Sequence, residues 1–314
     1  MQAIRFAALF GAVGSLTMSA QTPANLVTEG IPPITAELRR DVGRYMEFRG
    51  AGFNSWHPVK REMLITTRFA NSAQLHYVKM PGGARKQLTF LSDPVGGGSF
   101  RPKTGEFLVF SQDSGGGEFY QYYRFDLADG RITLLTDGKS RNTGARWAKD
   151  GSQIAFTSTK RTGKDNDIYL LDPVKPESTK LLLEVQGGGW SVADWSEDGK
   201  QLLVGEYVSI NESYIHRVDV ATGKRELITQ KGAEKVAYGA ARFAKDGKAI
   251  YVTTDQGSEF QQLVRIDTAS NQRQVLTAHI PWDVEEFDLS PDGNTIAFLA
   301  NENGIGTLHL LDTR

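Results

Sequence analysis

The chain has 314 residues, a formal net charge of −1, 33 glycines and no cysteine. The length allows one large all-β domain or two smaller domains. Near-neutral charge with scattered Lys and Arg argues against a nucleic-acid groove or a basic membrane-binding face, and the lack of cysteine excludes disulfides and thiolate chemistry.

The first twenty residues are typical of an export signal. Arg5 supplies a positive start, the apolar stretch Phe6–Met18 follows, and the small residues Ser19 and Ala20 precede a polar sequence. We therefore predict a signal peptide over residues 1–20 and an exported protein, periplasmic or extracellular. The alternative is an apolar terminus that stays in the mature protein. No other segment approaches the length of a membrane span.

Residues 21–52 form a segment before the first repeat. Helical periodicity occurs only at Ala36–Met46, where Leu38, Val42 and Tyr45 or Met46 share one face. We predict one short helix there, and strands elsewhere.

A repeat dominates the rest of the chain. An apolar or aromatic anchor followed by a turn recurs at intervals of 44, 47, 48, 48 and 46 residues. Four of these turns contain Asp-Gly, which supplies the positive φ that a tight hairpin requires. The six anchors are Trp56, Phe100, Trp147, Trp195, Phe243 and Leu289.

Each anchor is followed by three further strand-like runs, so that one repeat holds four strands in about 45 residues, the size of a propeller blade. We predict an all-β fold over residues 53–314: a β-propeller of about six four-stranded blades, starting near residues 53, 97, 144, 192, 240 and 286. The Asp-Gly hairpins should lie on one face, and the long loops between second and third strands on the other.

The sixth blade is incomplete in the sequence, which stops soon after the third strand and its Asp312. A missing outer strand leaves an exposed pairing edge, which natural proteins avoid. One interpretation is that residues around Arg44 to Arg49 supply this strand and close a six-bladed ring. The other, which we favour, is that the chain is the front part of a longer protein, because its last residues carry no capping signal.

Several stretches resemble a known family. They include Trp56-His57-Pro58, the run from Arg61 to Phe69, Pro81-Gly82-Gly83 with Gln87-Leu88-Thr89, and Trp282-Asp283-Val284 leading into Ser290-Pro291-Asp292-Gly293. Over residues 30–314 the chain resembles the N-terminal propeller of bacterial serine peptidases of the prolyl oligopeptidase family, in the acylaminoacyl- and dipeptidyl-peptidase branch. The Ser-Pro-Asp-Gly turn by itself is also found in TolB-type periplasmic propellers.

The resemblance implies a propeller of seven or eight blades followed by an α/β-hydrolase domain. In such enzymes the propeller caps the active site and filters substrates by size, while the Ser, Asp and His of the triad lie in the hydrolase domain. Peptide substrates would then reach the catalytic groups through a domain that this chain lacks. We expect no cofactor.

The sequence contains no Gly-x-Ser-x-Gly nucleophile elbow, so no catalytic residue is assigned. Its histidines show no metal-ligand spacing, so no metal site is assigned either. The most suggestive polar residues lie around the long loops, where they could face a substrate. These candidates are Arg68, Glu118, Tyr120, Asp165, Tyr207, Glu212, Asp255 and Glu259.

The acidic members of this group also have a structural interpretation. Because an acidic residue recurs before the third strand of nearly every blade, its carboxylate could simply accept backbone N–H bonds in a turn. Some relatives use propeller carboxylates to bind a substrate's amino terminus, but their motif is not recognisable here.

Three functional hypotheses follow. The first is the substrate-gating propeller of an exported serine peptidase, truncated before its catalytic domain. The second is a stand-alone TolB-like binding propeller. The third is a channel enzyme such as a metal-dependent lactonase or a glycosidase, which the small supply of acidic residues on the inner strands disfavours.

Overall fold

The computed structural model describes residues 27–314. The predicted signal peptide lies outside this range. The chain divides into two units between Phe48 and Arg49. The first unit contains the helix α1 (Ala36–Met46), the residues with helical periodicity, and the Thr35 hydroxyl caps it by accepting a bond from the Leu38 N–H at 3.1 Å. No helix in the described range is long and apolar enough to cross a membrane.

The second unit is a six-bladed β-propeller, which confirms the predicted fold class. Blade 1 is formed by β1 (Ala51–Trp56), β2 (Met63–Thr67), β3 (Gln74–Val78) and β4 (Arg85–Gln87). Blade 2 is formed by β5 (Val95–Phe100), β6 (Phe107–Gln112), β7 (Gln121–Asp126) and β8 (Ile132–Leu134). Blade 3 is formed by β9 (Asn142–Trp147), β10 (Ile154–Ser158), β11 (Asp167–Asp172) and β12 (Lys175–Leu183).

The other three blades continue the pattern, and the last has three strands. Blade 4 is formed by β13 (Trp190–Trp195), β14 (Gln201–Ser209), β15 (Glu212–Asp219) and β16 (Arg225–Leu227). Blade 5 is formed by β17 (Tyr238–Phe243), β18 (Ala249–Thr254), β19 (Gln262–Asp267) and β20 (Arg273–Val275). Blade 6 is formed by β21 (Val284–Leu289), β22 (Thr295–Glu302) and β23 (Ile305–Asp312). Each first strand begins two residues before the predicted blade start.

The strands of every blade are antiparallel and follow chain order. First-to-second and third-to-fourth turns therefore lie at one end of each sheet, which we call the hairpin face. Second-to-third loops and the connections between blades lie at the opposite end, the long-loop face. This is the arrangement that the turn chemistry predicts.

The Asp-Gly hairpins use the same local bonds in four blades. Each Gly has a positive φ, between 69° and 76°, and each Asp carboxylate accepts the N–H two residues further on, at 2.9–3.1 Å. Positive φ is strained for residues with a Cβ, so Gly is required at these positions. The four Asp residues are Asp150, Asp198, Asp246 and Asp292.

All six inner strands carry a β-bulge. In each of them one extra residue interrupts the register with the second strand of the same blade. A bulge increases local twist and redirects side chains. Its repetition bends the inner edge of every blade in the same way, next to the central channel.

Hydrophobic clusters join consecutive blades. One cluster lies between each pair of neighbours from blades 1 and 2 to blades 5 and 6. The anchors Phe100, Trp195 and Phe243 are buried in them, at 3%, 2% and 6% exposure. Trp56 is 60% exposed, because no blade among the described residues packs on that side of β1.

The idea that residues around Arg44 to Arg49 complete blade 6 is wrong for this structure. Residues 36–46 are helical, residues 47–50 form no strand, and the sheet of blade 6 contains only β21, β22 and β23. Helix formation there removes the backbone groups that a fourth strand would need.

Candidate functional site

The structure places all eight candidate residues at the long-loop face. Arg68 follows β2 and is half-buried, with interactions of its own. Glu118 and Tyr120 precede β7, and Asp165 precedes β11. Tyr207 lies in β14, Glu212 begins β15, Asp255 follows β18 and Glu259 precedes β19.

Asp165 is used by the fold. Its carboxylate accepts the Gly187 N–H at 2.8 Å and the Thr162 hydroxyl at 2.8 Å, with the Arg161 guanidinium at 3.6 Å. The bond from the Gly187 backbone, followed by that from Thr162, lowers the pKa of Asp165. This carboxylate therefore ties the β10–β11 loop of blade 3 to the connection into blade 4.

Asp255 and Glu212 also have partners. Asp255 accepts the Ala237 N–H at 2.9 Å, which links the β18–β19 loop to the connection into blade 5. Glu212 accepts the Tyr214 hydroxyl at 2.6 Å and lies 3.5 Å from the Lys235 ammonium. The Tyr214 bond is the main cause of the lowered pKa of Glu212.

Three of the candidates are accessible but lie in different blades. Tyr207 is 60% exposed, Glu259 is exposed, and Glu118 is exposed with φ of 60° and an arginine 4.0 Å away at the edge of ion-pair range. Tyr120 is half-buried, and its carbonyl accepts the Asn142 side chain at 2.8 Å. None of the eight lines the cavities described next.

The first of these cavities, of about 200 Å³, is lined by residues of blades 2 to 6 that lie in their inner strands and in the hairpins that follow. Charged side chains surround it. The Lys149 ammonium lies 2.6 Å from one Asp194 oxygen, and the other Asp194 oxygen accepts the Phe243 N–H at 3.0 Å. Lys245 pairs with Glu197 at 2.6 Å. These bonds cross from one blade to the next.

Sequence reasoning missed this charged ring, although a signal for it exists. The signal is the residue that stands directly before the anchor of each blade. In the last four blades this residue alternates between Arg and Asp. The set is Ser55, Ser99, Arg146, Asp194, Arg242 and Asp288. Blade stacking brings them to neighbouring inner strands.

Several members of this set lock blades together. The Ser99 hydroxyl accepts the Trp147 indole N–H at 2.8 Å, and the Ser55 hydroxyl accepts the Phe100 N–H at 3.4 Å. The Arg242 guanidinium lies 3.5 Å from Asp288 and donates to the Ala193 carbonyl at 3.3 Å. Arg146 differs from all of these, because its side chain makes no hydrogen bond or ion pair within residues 27–314.

A second cavity, of about 350 Å³, lies between blades 2 and 3 and has Arg146 in its wall. No group of three or more His, Asp or Glu side chains in the described part of the chain is placed to hold a metal ion.

Comparison with known proteins decides the family. The profile of the prolyl oligopeptidase N-terminal β-propeller domain matches residues 94–283, which cover blades 2 to 5. The chain belongs to this family. The resemblance found in the sequence is thereby confirmed.

The chain is also similar in sequence to a curated protein. It is 31% identical over 177 residues to the uncharacterized peptidase YuxL of Bacillus subtilis, a match that covers 56% of this chain and 24% of YuxL. The chain therefore spans about a quarter of the length of that peptidase.

Solved structures share the fold of the propeller. A chain from a study of two prolyl endopeptidases matches with a TM-score of 0.68 at 15% identity, over 84% of this chain and 41% of that one. A structure described as a TolB of Agrobacterium tumefaciens matches with a TM-score of 0.55 at 18% identity. The match covers 73% of this chain and 81% of that one. TolB of Acinetobacter baumannii matches with a TM-score of 0.53 at 18% identity, and the match covers 95% of this chain and 72% of that one.

Proposed function

We propose that this chain is the substrate-gating propeller of an exported serine peptidase. The propeller itself carries out no bond cleavage; it covers a catalytic domain and selects the peptides that reach it. The charged ring and the cavity at the inner strands are the surfaces that a passing peptide would meet.

The observation that carries the proposal is the family match over residues 94–283. It spans four consecutive blades, so it concerns the propeller as a unit rather than a single turn motif. The sequence similarity to YuxL, a protein named as a peptidase, also supports a role in a peptidase.

We place the catalytic groups outside these 314 residues. A serine nucleophile of an α/β-hydrolase sits on a sharp strand-to-helix turn with the pattern Gly-x-Ser-x-Gly, and the sequence lacks this pattern. The Ser, Asp and His of the triad would belong to an α/β-hydrolase domain encoded after Arg314.

The decisive experiment reads the gene beyond codon 314 and labels both products with a fluorophosphonate, which reacts with activated serines. We expect a hydrolase domain with Gly-x-Ser-x-Gly, labelling of the longer product at that serine, and no labelling of the 314-residue chain. A gene that ends at Arg314 with no hydrolase domain would refute the proposal, as would labelling of the 314-residue chain.

Gating has its own test in the longer product. A short peptide and a folded protein that carry the same cleavage sequence should be cut at very different rates, because only the peptide can pass the propeller. Equal rates for both substrates would contradict a gating role. Export is tested by cell fractionation, in which the mature protein should be found outside the cytoplasm and should lack residues 1–20.

The second candidate, a stand-alone TolB-like binding propeller, has the same fold, and fold alone does not separate the two functions. Sequencing the gene beyond codon 314 separates the two functions, because the gene of a stand-alone binding propeller would encode no hydrolase domain after the last blade. The peptidase propeller remains our proposal because the family profile names that domain.

A further inference from the structure

The interface between blades 2 and 3 is open next to the central channel. Its cluster contains buried residues of β6, β7, β10 and β11 together with Leu135, whereas the inner strand β9 contributes only the partly buried Ala145 and Trp147. In the other four interfaces, the inner strand of the later blade contributes buried residues, such as Trp190 and Val192 of β13. The result is the cavity of about 350 Å³.

Small residues lie on both sides of this cavity. Gly96, Gly97 and Gly98 of β5 face it together with Gly144 and Ala145 of β9. In blade 4, the position equivalent to Gly144 is Val192, which is 3% exposed and fills the next interface. A Cβ on Gly144 would meet nothing within 4 Å, so the space beside it is empty.

The wall of the cavity is partly apolar. Val109, Phe110, Tyr122 and Ile154, each at most 5% exposed as a residue, form its apolar part, whereas Ser99, Ser111 and Arg146 supply polar side chains. The Tyr122 hydroxyl oxygen accepts the Ala145 N–H at 3.1 Å, which fixes the Tyr122 ring against β9. The apolar part of this wall suits an aliphatic side chain.

Arg146 lies at the wall of the cavity, and no carboxylate among residues 27–314 forms an ion pair with it. Its side chain is exposed, yet protein crowds the guanidinium, and this burial together with repulsion from Arg242 lowers the pKa of Arg146. The charges of Asp194 and Asp288 attract Arg146 from a distance and so raise its pKa. Both carboxylates have closer partners, however. Asp194 binds Lys149 and the Phe243 N–H, and Asp288 lies 3.5 Å from Arg242. An anion that approaches Arg146 would therefore gain an interaction the protein does not already provide.

We propose that this cavity binds the carboxyl-terminal residue of a peptide, with the terminal carboxylate on Arg146 and an apolar side chain between blades 2 and 3. The choice of a peptide rests on the proposed function. A planar guanidinium can hold a carboxylate through two parallel N–H bonds, which gives orientation as well as affinity. The adjoining apolar walls would select the last side chain.

The test measures binding of short acetylated peptides to the 314-residue chain by calorimetry. The probes are acetyl-Gly-Gly-Gly-Leu with a free carboxylate, the same peptide with a carboxyl-terminal amide, and acetyl-Gly-Gly-Gly-Gly with a free carboxylate. We expect the first to bind and the other two to bind about tenfold or more weakly, since each lacks one of the two interactions.

The variant Arg146→Gln should reduce binding of the leucine acid about tenfold or more, to the level of its amide. It should fold normally, because the exposed Arg146 side chain makes no hydrogen bond within the described residues; its unfolding midpoint checks this. The matched control Arg273→Gln removes the same charge from the exposed outer strand β20 and should leave affinity unchanged.

A second measurement does not depend on affinity. Phenylglyoxal modifies accessible arginines, and mass spectrometry would show Arg146 protected by the leucine acid but not by its amide. The proposal fails if the wild type binds neither peptide, if acid and amide bind equally, or if Arg146→Gln binds like the wild type. None of these outcomes depends on a hydrolase domain, so failure here leaves the proposed gating function to its own test.

Discussion

Two buried histidines are held in neutral form. The His76 Nδ1–H donates to the Gln74 carbonyl at 2.9 Å, and the His216 Nε2–H donates to a Glu206 carboxylate oxygen at 2.8 Å. The opposite ring nitrogens, His76 Nε2 and His216 Nδ1, are buried and have no partner within residues 27–314. Burial is the main cause of the lowered pKa of both histidines, and it lowers the pKa of His57 as well.

This arrangement makes stability depend on pH. Because the folded pKa of these three histidines lies below the ordinary value of 6.5, the unfolded chain binds more protons as pH falls. Their contribution to stability is complete above pH 6.5 and is lost as pH falls through the folded pKa values. We expect the urea midpoint to be constant from pH 8 to about 7 and to decrease below about 6.5.

The variant His76→Gln tests the cause, because it removes one titrating group from a fully buried position. It should flatten part of the decrease below pH 6.5. An unchanged slope in His76→Gln would show that this histidine is not responsible.

Asp167 illustrates a carboxylate with a structural role. It is 0% exposed and binds the Arg161 guanidinium through bonds of 2.7 and 2.9 Å, while accepting the Val185 N–H at 2.9 Å. We expect Asp167→Ala to lower the free energy of unfolding by about 3 kcal/mol, since it leaves the buried Val185 N–H without its acceptor and removes both bonds between Arg161 and the carboxylate.

Urea unfolding at neutral pH measures this loss. The control Asp129→Ala removes an exposed carboxylate that accepts one turn N–H, from Arg131, and should reduce stability by about 1 kcal/mol or less. Equal effects of the two variants would contradict a special role for Asp167.

At the scale of the blade, one threonine fastens the outer strand to the third strand. Its hydroxyl accepts a third-strand N–H at 2.9–3.1 Å in four blades, always fourteen residues away. The pairs are Thr89 with Leu75, Thr136 with Tyr122, Thr229 with Ile215 and Thr277 with Leu263. Blade 3 uses the Asp167–Val185 bond instead.

Because Thr277 is 1% exposed and Leu263 is fully buried, Thr277→Val should leave the Leu263 N–H without a partner at nearly constant side-chain volume. We expect a loss of about 1–2 kcal/mol in the free energy of unfolding and faster hydrogen exchange of the Leu263 amide. Thr277→Ser keeps the hydroxyl and should retain slow exchange. Fast exchange in both variants would indicate that packing of the methyl group, not the bond, matters.

At the scale of the whole propeller, the surface of blade 6 is unusual. The outer strands of blades 1, 2, 4 and 5 are three residues long and that of blade 3 has nine, whereas in blade 6 the eight-residue third strand β23 is itself the edge of the sheet. Leu308 and Leu310 project from one face of β23 and are 65% and 71% exposed. Long apolar edge strands promote pairing between chains.

We therefore expect the 314-residue chain to self-associate as its concentration rises, as sedimentation velocity would show. The double variant Leu308→Lys with Leu310→Lys should suppress association, because charges on an edge oppose pairing. Val275→Lys, on the short outer strand of blade 5, is the control and should not suppress it. A wild-type chain that stays monomeric at all concentrations would contradict the prediction.

The sequence by itself determined the blade repeat, the hairpins and the family. Asp150-Gly151 and its equivalents make their bonds within a few residues, and the anchors recur at nearly constant spacing, so both can be recognised without tertiary information. The sequence also located Asp165 and Asp255 at the long-loop face and supplied a structural alternative for them, which their bonds to Gly187 and Ala237 support.

Only the tertiary structure decided which charges meet and where space remains. Arg146 and Arg242 lie two repeats apart in the chain, and their proximity depends on how blades stack around the channel. The cavity beside Arg146 is lined by residues of two blades, and the space next to Gly144 stays open because no side chain fills it. Contacts of this kind arise from the angle and spacing between sheets, which no local pattern specifies, whereas hairpin bonds depend only on neighbouring residues.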